Sequence, residues 1–215
     1  MCGTAMALHK VVKAVVLAAV LCTAAASSRA RILVVYYSQS NHTASLAQAV
    51  ADGAAQHADI VDVRGPLSID NATFADDVMW ADAVIVGSPV HNANIAAKMK
   101  AWLDTWDYVH QDLHTKIGAP FVTGGHLYGG IETTLHALTA YFHIFAMRVV
   151  TAERDFQPHF PLGVGATTGD PPFKNESAGK DGFVDPIFVD AGNRLGERVA
   201  RIAAAAAAVR ARPGL

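Results

Sequence analysis

Cysteine is nearly absent from this 215-residue chain, and the two that occur, Cys2 and Cys22, both precede residue 31. A chain that has lost its first 30 residues therefore carries no disulfide, no thiol nucleophile and no cysteine-ligated metal. Basic clusters are scarce as well. Lys10, Lys13 and Arg29 lie in the leading segment, and its removal takes the formal net charge from −2 to −5, which argues against nucleic acid as a partner. The apolar run Ala14 to Ala26 falls short of the roughly 20 residues that a membrane-spanning helix needs, so no stable span is expected in the mature chain. There are no internal repeats.

What the first 30 residues do contain is the layout of a secretory signal. His9, Lys10 and Lys13 precede the apolar run, and Ala24-Ala25-Ala26 or Ser28-Arg29-Ala30 offers a small-residue cleavage site. An uncleaved anchor is one alternative. An organelle-targeting leader is another, because the segment lacks acids and ends near Arg29 and Arg31. With 52% hydrophobic residues, residues 31–215 can bury a single substantial core.

The most informative stretch opens that domain. Ile32 to Tyr37 is a run of β-branched, aliphatic and aromatic residues that reads as a buried strand. Ala44 to Val50 begins an amphipathic helix that runs to about Gln56. Between them, Ser38-Gln39-Ser40-Asn41-His42-Thr43 offers hydroxyl, amide and backbone donors at a helix N-terminus, where an anion is favoured. The same residues also suit a plain helix cap.

Further strands are expected at Asp59–Val63, Ala83–Gly87, Ala119–Thr123 and Arg148–Thr151, with helices over Ile95–Trp106, Ile131–Ala146 and Ala191–Arg210. The last helix carries Leu195, Val199 and Ile202 on one stripe. Residues 156–186 are rich in Gly, Pro and Asp and read as a long loop of the kind that is usually functional or mobile. Strands alternating with helices imply an α/β doubly wound parallel sheet, whose ligands bind beyond the strand carboxyl ends. The loops after strands one, three and four all lie there.

Those loops carry a resemblance. Tyr36-Tyr37-Ser38 with its loop and helix, Gly87-Ser88-Pro89 with Asn94 and the Met99–Asp104 helix, Gly129-Gly130-Ile131-Glu132-Thr133-Thr134, and Gly165-Ala166-Thr167-Thr168 together resemble the flavodoxin-like NAD(P)H:quinone oxidoreductases of the WrbA type. The resemblance implies a flavodoxin-like five-stranded sheet in the order 2-1-3-4-5, with helices on both faces, and FMN as cofactor. It places the FMN phosphate in Ser38, Gln39, Ser40, Asn41, His42 and Thr43. The flavin ring falls between Ser88, Pro89, Val90, His91, Asn92 and Asn94 on one side and Thr123, Gly124, Gly125 and Gly129 on the other. NADH or NADPH would supply two electrons and a quinone would accept them, and a homodimer or homotetramer is implied, to which the apolar segment Tyr141 to Met147 is suited.

Two features depart from the pattern. Tyr128 stands where the family commonly has a histidine beside the flavin, so Tyr128 and His126 become the candidate proton donors, with His91 and His110 behind them; Trp106 is expected to be core. Pro171-Pro172 and the segment Lys174 to Lys180 replace a shorter linker. Three N-glycosylation patterns occur, at Asn41, Asn71 and Asn175, and the first lies inside the phosphate loop. A one-electron flavodoxin-like carrier and a cofactor-free interaction protein on the same fold are the rival functions.

Overall fold

The structure is a computed structural model that describes residues 30–65, 74–107, 113–153, 161–169 and 182–210. Its centre is β1 (Ala30–Tyr36), in which every residue from Ile32 to Val35 is buried. Because side chains alternate along a strand, Ile32 and Val34 enter one core while Leu33 and Val35 enter the other. The first core is closed by α1 (His42–Ala55) and α4 (Pro186–Arg210). The second is closed by α2 (Ala97–Leu103) and α3 (Ile131–Ile144). Helices thus cover both faces, as the near-continuous apolar strands require.

The remaining strands are β2 (Ala58–Arg64), β3 (Ala83–His91), β4 (Asn94–Ile95), β5 (Ile117–Gly124), β6 (Arg148–Val149) and β7 (Val164–Thr167). The sheet runs β2-β1-β3-β5-β6 with parallel neighbours, and β7 also pairs with β5. This is the expected 2-1-3-4-5 order, with the fifth position divided. β6 pairs with Ile117 and Gly118, while β7 takes over at Phe121 to Gly124. Pro120 falls in the interval between the two pieces, where a residue without an N–H is tolerated.

Several boundaries differ from expectation for identifiable reasons. The fifth strand ends at Val149, and β7 lies inside the segment expected to be loop; four residues reading Val-Gly-Ala-Thr carry too little pattern to announce a strand. β3 continues through Pro89 to His91 and turns back as β4. α4 begins at Pro186, since proline is favoured in the first helical turn. Its buried stripe is Leu195, Val199 and Ala203, with Ile202 37% exposed. α1 and α4 cross at glycines: a Cβ on Gly53 would lie 1.9 Å from the Asn193 carbonyl oxygen, and one on Gly196 the same distance from that of Val50.

At the strand amino ends the polar groups are tied together. Asp82 accepts the Arg31 backbone N–H at 2.9 Å and an Arg210 guanidinium N–H at 2.9 Å. Lys116 is buried and donates to the carbonyls of Met79 (2.8 Å) and Ala81 (2.5 Å). Burial pushes its ammonium down to about 8, opposed by Asp82 and reinforced by Arg31 and Arg210. This end of the sheet is braced, and the loops lie at the other.

Candidate active site

The strand order reverses between β1 and β3, so the crevice beyond their carboxyl ends is where the fold places a ligand. The first wall is the loop from Ser38 to Asn41. Asn41 is the N-cap of α1 but has a left-handed backbone (φ 65°) and makes no side-chain capping bond. Its carbonyl accepts the Ser45 N–H at 2.8 Å. The leading amides of α1 therefore lack the side-chain acceptor that an N-cap normally supplies. The Ser38 hydroxyl is buried and has no hydrogen-bond partner among the described residues. Gln39, Ser40 and Asn41 are exposed, and Ser40 Oγ lies 2.9 Å from His42 Nδ1. Thr43 is buried, and its Oγ1 meets Thr123 Oγ1 at 2.7 Å. That bond joins the start of α1 to the end of β5 across 80 positions of sequence.

The second wall is the β3–β4 hairpin. Asn92 (φ 49°) and Ala93 (φ 61°) are both left-handed, the backbone of a two-residue type I′ turn. Ser88 is fully buried; its hydroxyl donates to the Pro89 carbonyl at 2.8 Å and accepts the Ala96 N–H at 3.0 Å. It braces the hairpin from behind and is not a free donor. Asn94 Oδ1 accepts the Ile95 N–H at 2.8 Å. Pro89 is registered opposite Thr123, so the second and third walls share a strand pair. Val90 and His91 are half-buried, and the His91 ring stands edge-on to Tyr37 with centroids 6.1 Å apart.

The third wall runs from Thr123 to Gly130. Thr123 and Gly124 are buried at the end of β5, while Gly125, His126, Tyr128 and Gly129 are exposed. The space beside the Gly125 Cα is open to 4 Å. The turn closes with the Gly129 N–H on the His126 carbonyl at 3.0 Å. Gly130 (φ 110°) touches the hairpin, since a Cβ there would sit 2.5 Å from Ala93 Cα. Tyr128 is 97% exposed, and its hydroxyl has no partner among the described residues.

Three contributions were not visible in the sequence. Gly182 (φ 74°) folds over the first wall, with a Cβ there 2.5 Å from that of Asn41. The Thr168 N–H donates to the Gly124 carbonyl at 2.9 Å, so the segment after β7 backs the third wall. The Lys98 ammonium lies over the Tyr37 ring, 5.5 Å from its centroid. All three join segments distant in sequence. Trp106 is core, 4% exposed and packed on Trp102 and Phe145. His110, Lys174, Lys180, Asn71 and Asn175 lie outside the described residues. A cavity of about 480 Å³ between α2 and α3, lined by Leu103, Trp106, Tyr141, Ile144 and Phe145 among others, includes no residue of the three walls. Among the described residues no group of three or more His, Cys, Asp or Glu could hold a metal, and no helix is long and apolar enough to cross a membrane.

The profile of the family described as NADPH-dependent FMN reductase matches residues 30–154. The chain belongs to that family. It is 32% identical over 197 residues to an NAD(P)H dehydrogenase (quinone) of Azorhizobium caulinodans, covering 81% of this chain and 98% of the relative. A protein of the same description from Nitrobacter winogradskyi is 30% identical over 162 residues, covering 67% and 80%. Among solved structures, the WrbA-like flavodoxin of Agrobacterium tumefaciens superposes with a TM-score of 0.61 at 21% identity, covering 81% of this chain and 97% of that one. The WrbA-type resemblance read from the loops is borne out, as is the flavodoxin-like fold.

Proposed function

We propose that this chain is an FMN-dependent NAD(P)H:quinone oxidoreductase that passes two electrons from NADH or NADPH to a quinone. The family membership supports the reaction class, and one observation carries the site: the buried Ser38 hydroxyl, without a partner among the described residues, at a helix start whose N-cap Asn41 makes no side-chain capping bond. A buried hydroxyl left unsatisfied costs about 1–3 kcal/mol, and a phosphate at this position satisfies it together with the leading amides of α1. The loop contains no lysine or arginine, so neutral donors do the binding. Ser38, Gln39, Ser40, Asn41, His42 and Thr43 hold the phosphate; Ser40 and His42 orient one another, and Thr43 fixes the loop to β5.

Bound FMN supplies the redox chemistry between nicotinamide and quinone. The protein's own residues position and protonate. Pro89, Val90, His91, Asn92 and Asn94 form one side of the ring site, with Ser88 behind them. Thr123, Gly124, Gly125 and Gly129 form the other, where the open space at Gly125 leaves room for a planar ring against backbone. His126 and Tyr128, exposed on the rim, reach an arriving quinone rather than the buried edge. The Tyr128 hydroxyl donates a hydrogen bond to a quinone oxygen, and the His126 imidazole, which can donate through one ring nitrogen and accept through the other, exchanges the proton.

The isolated protein is expected to be yellow and to oxidise NADH or NADPH only slowly until a benzoquinone is added. A flavin-loaded preparation inert to both nicotinamides would overturn the reading. Asn41 is exposed within the phosphate loop, so the proposal also commits Asn41 to being unglycosylated in the active protein.

Two further parts belong to the same proposal. The chain forms a homodimer or homotetramer through the α2–α3 face, where Ile144 is 68% exposed beside the apolar cavity; a light-scattering mass of one chain would contradict this. Residues 1–30 act as a leader to the secretory route or an organelle, cleaved or retained as an anchor.

A further inference from the structure

The chain is acidic once the leader is set aside, and the three walls contain no lysine or arginine. A nicotinamide nucleotide nonetheless brings at least two negative charges to this end of the sheet. Two cations among the described residues stand near the strand carboxyl ends. Arg64, at the end of β2, is committed to Asp62 at 2.7 Å and Asp77 at 3.4 Å. Lys98 makes no ion pair among the described residues.

The two lysines of α2 make the contrast plain. Each ammonium lies 5.5 Å from the centroid of a tyrosine ring, Lys100 over Tyr141 and Lys98 over Tyr37. Lys100 is also neutralised by Asp104 at 2.6 Å, and that carboxyl is held below its ordinary range by Lys100 first and by the Tyr141 hydroxyl second. Lys98 has the aromatic platform without the carboxylate. Its platform, Tyr37, immediately precedes Ser38, and the Tyr37 ring also packs at right angles to that of His91 of the hairpin. A charge with no ion-pair partner among the described residues is therefore held at the junction of the first and second walls, by a ring that limits where the flexible lysine can go.

We propose that Lys98 binds a phosphate group of the incoming nicotinamide nucleotide. The inference rests on the oxidoreductase reading above and adds to it the residue that receives the nucleotide's charge. The group bound is either the 2′-phosphate, which only NADPH carries, or the pyrophosphate, which both nucleotides share.

The test is equilibrium binding of the oxidised nucleotides NADP+ and NAD+ to the oxidised, flavin-loaded protein, which needs no turnover. Lys98→Ala is expected to weaken NADP+ by about fivefold, the scale of one exposed ion pair, and Lys98→Arg to restore most of it. Loss confined to NADP+ assigns the 2′-phosphate, and equal loss for both assigns the pyrophosphate. Lys100→Ala removes the same charge from the same helix and is expected to leave both affinities unchanged. Lys98→Ala without effect on either nucleotide, or matched by Lys100→Ala, would overturn the inference while a wild type that reduces quinone leaves the oxidoreductase reading standing. A wild type that loads FMN yet oxidises neither NADH nor NADPH would remove both.

Discussion

The two ends of the sheet are built from similar residues and treat them differently. At the strand amino end, Arg31, Asp82 and Arg210 are joined by hydrogen bonds, and the Lys116 ammonium is spent on two carbonyls. At the strand carboxyl end, Ser38 has a buried hydroxyl with no partner among the described residues, Asn41, Asn92 and Ala93 hold left-handed backbones, and Tyr128 is almost wholly exposed. The polar groups named at the first end are satisfied from within the fold, and Ala146 (φ 54°), just before β6, is the left-handed non-glycine residue there among the described residues. The other end gathers three such residues and an unsatisfied hydroxyl, which cost stability unless something arrives to use them. The difference teaches where binding energy has been reserved, and substitutions at each end separate the two roles.

The largest effect is expected where the second and third walls touch. Gly130→Val places a β-branched residue at φ 110° with its Cβ about on top of Ala93; a loss of about 3 kcal/mol in unfolding free energy is expected, accompanied by loss of FMN uptake. Next is the pH dependence of Lys116. Its native pKa lies below the unfolded value of 10.5, so between about pH 8 and 10.5 the unfolded chain binds the extra proton. Stability from this group therefore rises with pH through that window, by up to about 3 kcal/mol. Denaturant midpoints of the wild type should rise relative to Lys116→Met as pH goes from 8 to 10.

Asp82→Ala frees the half-exposed Arg31 and Arg210 and is expected to cost about 1–2 kcal/mol of stability while leaving FMN affinity unchanged. A drop in FMN affinity would break the separation between the two ends. Ser38→Ala does the reverse. It removes an unsatisfied buried hydroxyl, so the flavin-free protein should be no less stable, while FMN binding weakens by about tenfold, the value of one hydrogen bond to a charged group. A fall in flavin-free stability would show that Ser38 serves the fold instead.

The braced framework was far more legible in the sequence than the open end. Ile32 to Tyr37 and Ala83 to Gly87 announced themselves because strands buried on both faces need uninterrupted apolar runs. The three walls followed from that, since strand carboxyl ends are fixed once strands are placed. β7 was hidden because Val164-Gly165-Ala166-Thr167 packs with small residues that show no period, and the β3–β4 hairpin because Asn92-Ala93 lacks the glycine that usually marks such a turn. The Thr43–Thr123 bond, the Gly182 contact and the Lys98–Tyr37–His91 group join residues distant in sequence. No local pattern carries them.

The central claim is that the loop from Ser38 to Thr43 binds the phosphate of FMN, and comparing FMN with riboflavin tests it most directly. Calorimetric titration of flavin-free protein should show FMN binding at least about a hundredfold more tightly than riboflavin, as expected when several charge-assisted hydrogen bonds are lost together, with Ser38→Ala narrowing the gap. Equal affinity for the two flavins would contradict the account.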